Sequence, residues 1–216
     1  MKSCYIHIPF CNTICTYCDF CKVFYNKVWV DNYLKELEKE IKFNYKGEIL
    51  DTLYIGGGTP SCIDYQNLKQ LLEYLKNLLD KNFVEFCIES NVEDINENFL
   101  KILLENKVNR LSIGVQSFNE KFTEFCGRKH TKKQAIENIK LASKYIKNLS
   151  IDLIFAFPGQ TAKDIKEDIK IVETLPIKHL SYYSLLIEPN TILFSKKIEN
   201  VDDVTKEKLY RCIYNN

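Results

Sequence analysis

Short apolar runs along the chain alternate with amphipathic, charged stretches of helical length. The runs are rich in Ile, Leu, Val and Tyr, as expected for strands, and six of them can be counted. They cover residues 4–10, 52–55, 84–89, 110–116, 149–157 and 179–187. The helix-like stretches cover residues 31–43, 65–79, 97–105, 132–145, 162–175 and 202–213. This alternation predicts an α/β protein whose parallel sheet is covered by helices.

The number of βα units limits the architecture without deciding it. Six units are fewer than the eight of a closed barrel, so an open doubly wound sheet and an incomplete barrel both fit. In either case the active site lies at the carboxyl ends of the strands. Cys11, residues 56–59 and residues 158–161 follow predicted strands, and Glu89 and Gln116 end two others. We expect these residues to meet at one edge of the sheet.

Charge and hydropathy exclude two classes of function. Thirty basic and twenty-nine acidic residues leave a formal net charge of +1, which is not the basic footprint of a nucleic-acid-binding protein. No apolar run approaches the roughly 18 to 20 residues that a membrane span requires. The first ten residues are too short and too polar for a signal peptide. We therefore expect a soluble, cytoplasmic protein.

Four of the nine cysteines fall between Cys11 and Cys21. Such clustering in a reducing compartment favours metal binding over disulfides. The Cys11, Cys15 and Cys18 thiolates could hold three irons of a four-iron cluster and leave the fourth iron open. A structural zinc site, with Cys21 as fourth ligand, is the alternative. Burial of these thiols as ordinary hydrophobic side chains is a third interpretation, which the polar neighbouring residues oppose.

The residues around this cysteine motif resemble the radical S-adenosylmethionine (radical SAM) superfamily. The resemblance begins in the string Tyr-Ile-His-Ile-Pro-Phe-Cys at residues 5–11 and in the CxxxCxxC spacing, with Tyr17 before the last Cys. Seven further segments continue it in order: residues 56–60, 89–91, 110–118, 127–128, 152–154, 158–161 and 182–189. They cover almost the whole chain and are most similar to the oxygen-independent coproporphyrinogen III oxidase-like family. That family implies a partial (β/α)6 TIM-like barrel, a [4Fe-4S] cluster on Cys11, Cys15 and Cys18, and bound S-adenosylmethionine.

The residue types at the predicted strand ends suit that cofactor. Glycines at 56–58 remove side chains so that the backbone can approach a ligand, although a tight turn closed by Pro60 would also need them. Glu89 ends an apolar strand, where an unpaired charge is costly, and the resemblance assigns it a contact with the cofactor. A solvated strand end is the alternative for Glu89. The resemblance implies that the cofactor-binding residues of this part of the chain are Gly57, Gly58, Thr59 and Glu89.

Further contacts are expected from the second half of the chain. The amide of Gln116 can donate to and accept from ribose hydroxyls, and Asp152, flanked by apolar residues, needs such donors. Arg128 offers a planar fork to the methionine carboxylate, although an Arg on a loop is usually only solvated. By resemblance, Tyr5 and Tyr17 flank the cluster and the adenine, and Leu186 lies along the adenosyl pocket.

One position distinguishes two branches of the family. The coproporphyrinogen oxidases carry a further Cys two residues after the third cluster Cys, where this chain has Phe20. The string Cys18-Asp-Phe20 resembles the haem chaperone branch, known as HemW, although Cys21 lies one position later. The resemblance therefore implies a haem chaperone without oxidase activity. The alternatives are a radical enzyme acting on a porphyrinogen in porphyrin biosynthesis, and a simple electron carrier or zinc protein.

The resemblance also implies partners and a domain division. Expected partners are S-adenosylmethionine, haem or a porphyrinogen, a haem-accepting apoprotein, and a reductant such as flavodoxin or ferredoxin. His7 is a candidate haem ligand by position only. Residues 1–200 are expected to form the radical SAM core domain, and residues 201–216 a C-terminal helix or the start of a further domain. Since both branches normally add a second domain, we expect a fragment, a truncated homologue or a core that works with a partner.

Overall fold

The computed structural model describes residues 1–215 of the chain. Its main sheet contains six parallel strands in the spatial order β1-β4-β5-β6-β7-β8, and β2 pairs with β3 in a separate two-stranded sheet. The strands are β1 (Ser3–Ile8), β2 (Phe10–Cys11), β3 (Val23–Phe24), β4 (Thr52–Gly57), β5 (Glu85–Asn91), β6 (Arg110–Gln116), β7 (Asn148–Phe155) and β8 (His179–Ser184).

The order of the strands decides between the two predicted architectures. Each strand of the main sheet pairs with its neighbour in sequence, without the reversal that marks a doubly wound sheet. The topology is therefore that of a partial (β/α)6 barrel, which confirms the predicted fold class and excludes the doubly wound alternative.

Eight α-helices connect and flank the strands within the described residues. They are α1 (Lys27–Asn44), α2 (Tyr65–Leu75), α3 (Glu97–Glu105), α4 (Glu120–Phe125), α5 (Lys132–Tyr145), α6 (Ala162–Val172), α7 (Ile192–Ser195) and α8 (Asp203–Tyr214). Each begins after an Asn, Asp or Thr whose side chain accepts a backbone N–H of the first turn. Short 3₁₀ helices lie at Pro60–Cys62, Lys76–Leu78 and Val92–Asp94. Within residues 1–215, no helix combines the length and the apolar character needed to cross a bilayer.

Alternate residues along each strand point to opposite faces of the sheet. Residues such as Ile55, Ile88 and Ile113 are fully buried in the core that packs against the helices. Their neighbours, including Tyr54 and Ser112, line a cavity on the concave face. The strands are thus less continuously apolar than predicted, because the inner face of the barrel is polar.

Several local features differ from the predicted elements. The first apolar run divides at Pro9 into β1 and β2, because proline has no N–H for the sheet ladder. A short helix, α4, lies between β6 and α5, where none is predicted. The helix α1 begins at Lys27, four residues before the predicted start at 31, because Asn26 caps it.

Two smaller apolar clusters lie outside the main core. The first joins α4, the end of β7 and the segment after β8, and Tyr17 packs against it. In the second, Leu209 of α8 packs with Phe155 and with Ile165 of α6. The helix predicted at residues 202–213 is therefore part of the folded unit.

Candidate functional site

A cavity of about 650 Å³ lies on the concave side of the barrel. Inward-facing residues of β4 to β8 form its walls, and the loops at the carboxyl ends of the strands form its rim. Three thiols line it, those of Cys11, Cys15 and Cys18, together with the strand-end residues Gly57, Gly58, Thr59, Glu89 and Gln116. Gly56 and residues 158–161, which were expected at the same edge, do not line it.

Backbone hydrogen bonds hold the loop that carries these thiols. The Tyr25 N–H donates to the Cys11 carbonyl over 2.9 Å, which fixes β2 against β3. The Thr16 N–H donates to the carbonyl of Cys126 over 3.0 Å, and its hydroxyl donates to that of Phe125 over 2.6 Å. The Thr16 carbonyl accepts from Leu193 N–H over 3.0 Å. The loop is therefore anchored to α4 and α7, which lie far from it in sequence.

The Cys11 and Cys18 thiols lie in surroundings that disfavour an uncompensated thiolate. Burial raises the pKa of Cys11; the neighbouring Cys15 and Cys18 add to this, while the Thr59 hydroxyl and Arg128 oppose it. Burial also raises the pKa of Cys18. A cationic metal centre would supply the positive charge that three thiolates here require.

The donor set fits a cluster with one open iron better than a closed zinc site. No fourth cysteine of residues 1–215 lines the cavity, and the exposed Cys21 is held outside it, where its carbonyl contacts the His7 Nε2 at 2.9 Å. Across the described residues, no group of three or more His, Cys, Asp or Glu side chains is already arranged to hold a metal ion. In a four-iron cluster each thiolate binds a different iron, so three thiols around one cavity suit it.

The glycines of residues 56–58 are required by close contacts. A Cβ on Gly56 would lie 2.8 Å from Glu89 Oε1, and one on Gly58 would lie 2.7 Å from the carbonyl oxygen of Phe10. Gly57 has a φ of +119°, a conformation that favours glycine. The N–H groups of Gly57, Gly58 and Thr59 already donate within the chain, so the missing side chains make room for neighbouring groups of the protein itself.

Glu89 is held at the end of β5 by two donors. The Tyr54 hydroxyl donates to its Oε1 over 2.7 Å, and the Gly57 N–H donates to its Oε2 over 3.2 Å. Burial raises the pKa of Glu89, and these two hydrogen bonds oppose the shift. The carboxylate is therefore a fixed wall of the cavity, and the solvated strand end weighed from the sequence does not describe it.

Arg128 lies in the turn after α4 and points into the cavity. Its Nη1 donates to the Asn91 Oδ1, and its charge interacts with the partly buried Tyr17 phenol. Its Nη2 lies 3.2 Å from the position that a Cβ on Gly114 would take. The Nε is buried without a hydrogen-bond partner. Such a free donor on a guanidinium is suited to an oxygen of a bound carboxylate.

Gln116 and Asp152 occupy neighbouring strands on the inner face. The pairing of β6 with β7 shifts register between Gly114 and Gln116, and Gln116 has a φ of +70°. The Ser112 hydroxyl donates to Asp152 Oδ2 over 3.1 Å. Burial raises the pKa of Asp152, and the Ser181 and Ser112 hydroxyls oppose the shift.

The three positions assigned to the adenine side have different surroundings. Tyr17 and Leu186 line the cavity, and Leu186 is half exposed at its mouth. Tyr5 does not line it; its ring stacks on Tyr54 with centroids 6.0 Å apart, and its hydroxyl contacts the His7 Nδ1 at 3.1 Å. The structure therefore brings every predicted site residue except Tyr5 to one cavity.

Several cavity residues were missed by the sequence reasoning. Asn91, Arg110, Ser112, Ser181 and His179 all line the cavity. The signal that could have found them is the period-two alternation of polar side chains within strands that are otherwise apolar.

Comparison with known proteins agrees with this geometry. The model of the family described as the "Radical SAM superfamily" matches residues 5–172. The chain belongs to the radical SAM superfamily. The matched segment contains the cysteine loop, the glycine loop, Glu89, Arg128 and Asp152, and it ends before Leu186. The family recognised from the sequence motifs is confirmed.

Within this superfamily the chain is similar to proteins named as haem chaperones. It is 41% identical over 201 residues to "Heme chaperone HemW" of Bacillus subtilis, covering 90% of this chain and 53% of that protein. It is 39% identical over 198 residues to the protein of the same name from Lactococcus lactis, covering 91% and 52%. The chain thus spans about half the length of the curated relatives it matches.

A solved radical SAM structure has the same fold. The Escherichia coli coproporphyrinogen III oxidase HemN superposes with a TM-score of 0.86 at 26% sequence identity. The match covers 97% of this chain and 50% of that one.

Proposed function

We propose that this chain is the core of a haem chaperone that holds a [4Fe-4S] cluster and S-adenosylmethionine. The observation that carries the proposal is the identity of about 40% to proteins named HemW over nine-tenths of this chain. Phe20, at the position where the oxidase branch has a cysteine, supports the same branch. The three thiols around one cavity support the cluster.

Each part of the cavity has a task in this proposal. Cys11, Cys15 and Cys18 hold the cluster, which when bound supplies one electron to the sulfonium of S-adenosylmethionine. Arg128, which lines the cavity and whose Nε has no hydrogen-bond partner, would hold the methionine carboxylate. Glu89, already fixed by two donors, presents its carboxylate to the cofactor.

The remaining residues orient the nucleoside part of the cofactor. Gln116 and Asp152 offer hydrogen-bonding groups to the ribose hydroxyls. Tyr17 and Leu186 would supply apolar surface for the adenine. Tyr5 does not line the cavity and would influence the site only indirectly, through its contacts with His7 and Tyr54. Gly57, Gly58 and Thr59 line the cavity and would contact the methionine part of the cofactor.

Haem, the cargo of this proposal, has no assigned ligand. Both nitrogens of the His7 ring are engaged, by the Tyr5 hydroxyl and by the Cys21 carbonyl, which argues against His7. His130 is buried beside Glu93. Of the histidines, His179 is the one that lines the cavity, and it is exposed.

A radical enzyme acting on a porphyrinogen is the second candidate function. The structural similarity to coproporphyrinogen III oxidase, at a TM-score of 0.86, favours it. The exchange of cysteine for Phe20 weighs against oxidase activity itself.

The expected surroundings of the protein also belong to this proposal. A cytoplasmic location is consistent with the clustered cysteines, and no disulfide joins the cysteines of the described residues. Flavodoxin or ferredoxin would reduce the cluster, and an apoprotein would receive the haem. The division into a core domain at residues 1–200 and a C-terminal segment at 201–216 stays a prediction.

Haem titration of the cluster-containing protein separates the two functions. We expect a stoichiometric change in the haem absorption spectrum, and little 5′-deoxyadenosine when a porphyrinogen is offered together with a reductant. Stoichiometric formation of 5′-deoxyadenosine with coproporphyrinogen, together with no haem binding, would contradict the chaperone function and support the radical enzyme.

A further inference from the structure

A line of hydrogen bonds connects Arg128 with the sulfur of Cys11. The Arg128 Nη1 donates to the Asn91 Oδ1, and the Asn91 Nδ2 donates to the Thr59 Oγ1 over 3.3 Å. The Thr59 Oγ1 lies 3.5 Å from the Cys11 Sγ. Asn91 lies in the middle of this line, because its side-chain amide accepts from Arg128 and donates to Thr59.

Chemistry fixes the direction of every bond in this line. A guanidinium only donates, so the amide oxygen of Asn91 must face Arg128 and its NH₂ must face Thr59. The Thr59 oxygen accepts from Asn91, which leaves its hydroxyl proton for the sulfur. A thiolate can only accept, so Thr59 would donate to Cys11 once Cys11 is a ligand. All donors then point from the cation to the anion, an arrangement in which neighbouring bonds strengthen one another.

The backbone around Asn91 is held on both sides. Its N–H donates to the Ser61 hydroxyl oxygen over 3.4 Å, and the Ser61 hydroxyl donates to Asp94 over 2.6 Å. On the other side, Glu93 accepts the Lys129 N–H over 3.2 Å. The segment after β5 therefore fixes both the glycine loop and the turn that carries Arg128.

We infer that Asn91 is a positioning residue that couples the carboxylate site at Arg128 to hydrogen bonding on the Cys11 sulfur. The inference rests on the proposed function, because it takes Cys11 as a cluster ligand and Arg128 as the partner of the methionine carboxylate. Hydrogen bonds to a ligating sulfur stabilise the more negative, reduced cluster and raise its reduction potential. Asn91 thus influences both how tightly S-adenosylmethionine binds and how readily the cluster accepts an electron.

The test measures the cluster reduction potential and the S-adenosylmethionine affinity of the anaerobically reconstituted protein. Asn91→Leu removes both contacts without adding charge. We expect a negative shift of the potential and about 10- to 100-fold weaker cofactor binding, as is typical for residues that support a ligand from behind. Thr59→Val should shift the potential in the same direction, and Thr59→Ser should restore it. Adding Asn91→Leu to Thr59→Val should shift the potential no further, because Asn91 acts on the sulfur only through the Thr59 hydroxyl.

Several outcomes would overturn the inference. They are a wild-type potential and affinity in Asn91→Leu with a complete cluster, or shifts that add fully in the double variant. Asn91→Ser, which is too short to reach Thr59, takes the place of Asn91→Leu if the latter does not fold. The exposed Asn77→Leu is the matched control and should change neither quantity. A wild-type chain that assembles no four-iron cluster would instead contradict the proposed function.

Discussion

Gly57 lies directly against the imidazole of His7. A Cβ on Gly57 would be 2.7 Å from the His7 Cε1, and the φ of Gly57 is +119°. We therefore expect Gly57→Ala to destabilise the fold by about 1 to 2 kcal/mol through backbone strain and by about 1 to 3 kcal/mol through overpacking. Chemical denaturation measures the change. Gly47→Ala is the control, since its φ is +84° but nothing lies within 4 Å of the added carbon. Equal losses in both variants would show that the His7 contact contributes nothing.

Cys15→Ala should abolish cluster assembly. Two thiolates cannot hold three irons of a four-iron cluster, so the variant should reconstitute with little iron and sulfide. Iron and sulfide analysis after anaerobic reconstitution checks this. Full iron and sulfide in the variant would remove Cys15 from the ligand set.

Cys21→Ala provides the matched control for that experiment. Cys21 is exposed and lies outside the cavity, so its replacement should leave the iron content unchanged. A loss of metal in this variant, with one ion per chain in the unmodified protein, would favour the zinc alternative.

Arg128→Ala should weaken S-adenosylmethionine binding and leave the cluster in place. A hydrogen bond to a charged group contributes about 1.5 to 3 kcal/mol, which corresponds to a loss of about 10- to 100-fold in affinity. Isothermal titration of the cluster-containing protein measures it. The exposed neighbour Lys129→Ala should bind normally, and equal affinities in the two variants would contradict the assignment of Arg128.

Asp168 should make stability depend on pH in a defined direction. Burial raises its pKa to about 6, and the Ser117 hydroxyl and the Phe118 N–H, which donate to it, oppose the shift. Because the folded-state pKa exceeds the unfolded value of about 3.9, its stabilising contribution is complete below pH 4 and is lost as the pH rises through 6. The contribution is on the order of 1 to 3 kcal/mol.

Asp168→Asn isolates this effect from other carboxylates. The asparagine amide resembles the protonated acid in shape and hydrogen bonding, so it should not titrate. We expect the unfolding free energy of the unmodified chain to fall relative to Asp168→Asn between pH 4.5 and 7 in urea titrations. A difference that is independent of pH would show that Asp168 keeps an ordinary pKa.

Much of the site could be predicted from the sequence because strand ends carry it. Cys11, Glu89 and Gln116 lie at the ends of apolar runs, and parallel strands bring such ends to one edge. Arg128 was assigned to the site from the family resemblance, because an arginine on a loop is usually only solvated and its position in the sequence alone does not indicate a binding site. To distinguish a partial barrel from a doubly wound sheet, however, the strand order in the structure was needed, because both architectures have the same hydrophobic periodicity.

The missed features depend on contacts between distant segments. Asn91 takes its role from Arg128 and Thr59, which lie 37 and 32 residues away in sequence. Tyr5 faces Tyr54 and His7 instead of the cavity, and no local pattern distinguishes these surroundings. Register shifts such as the one before Gln116 likewise follow from strand pairing and leave no signal in composition.

The most direct test of the central claim is electron paramagnetic resonance of the reduced, anaerobically reconstituted chain, recorded with and without S-adenosylmethionine. A four-iron cluster signal that shifts when S-adenosylmethionine is added is the predicted result, because in the proposed function the cofactor would bind the iron that no thiol of the chain holds. A signal that is unchanged by the cofactor, or the absence of a cluster, would contradict the account.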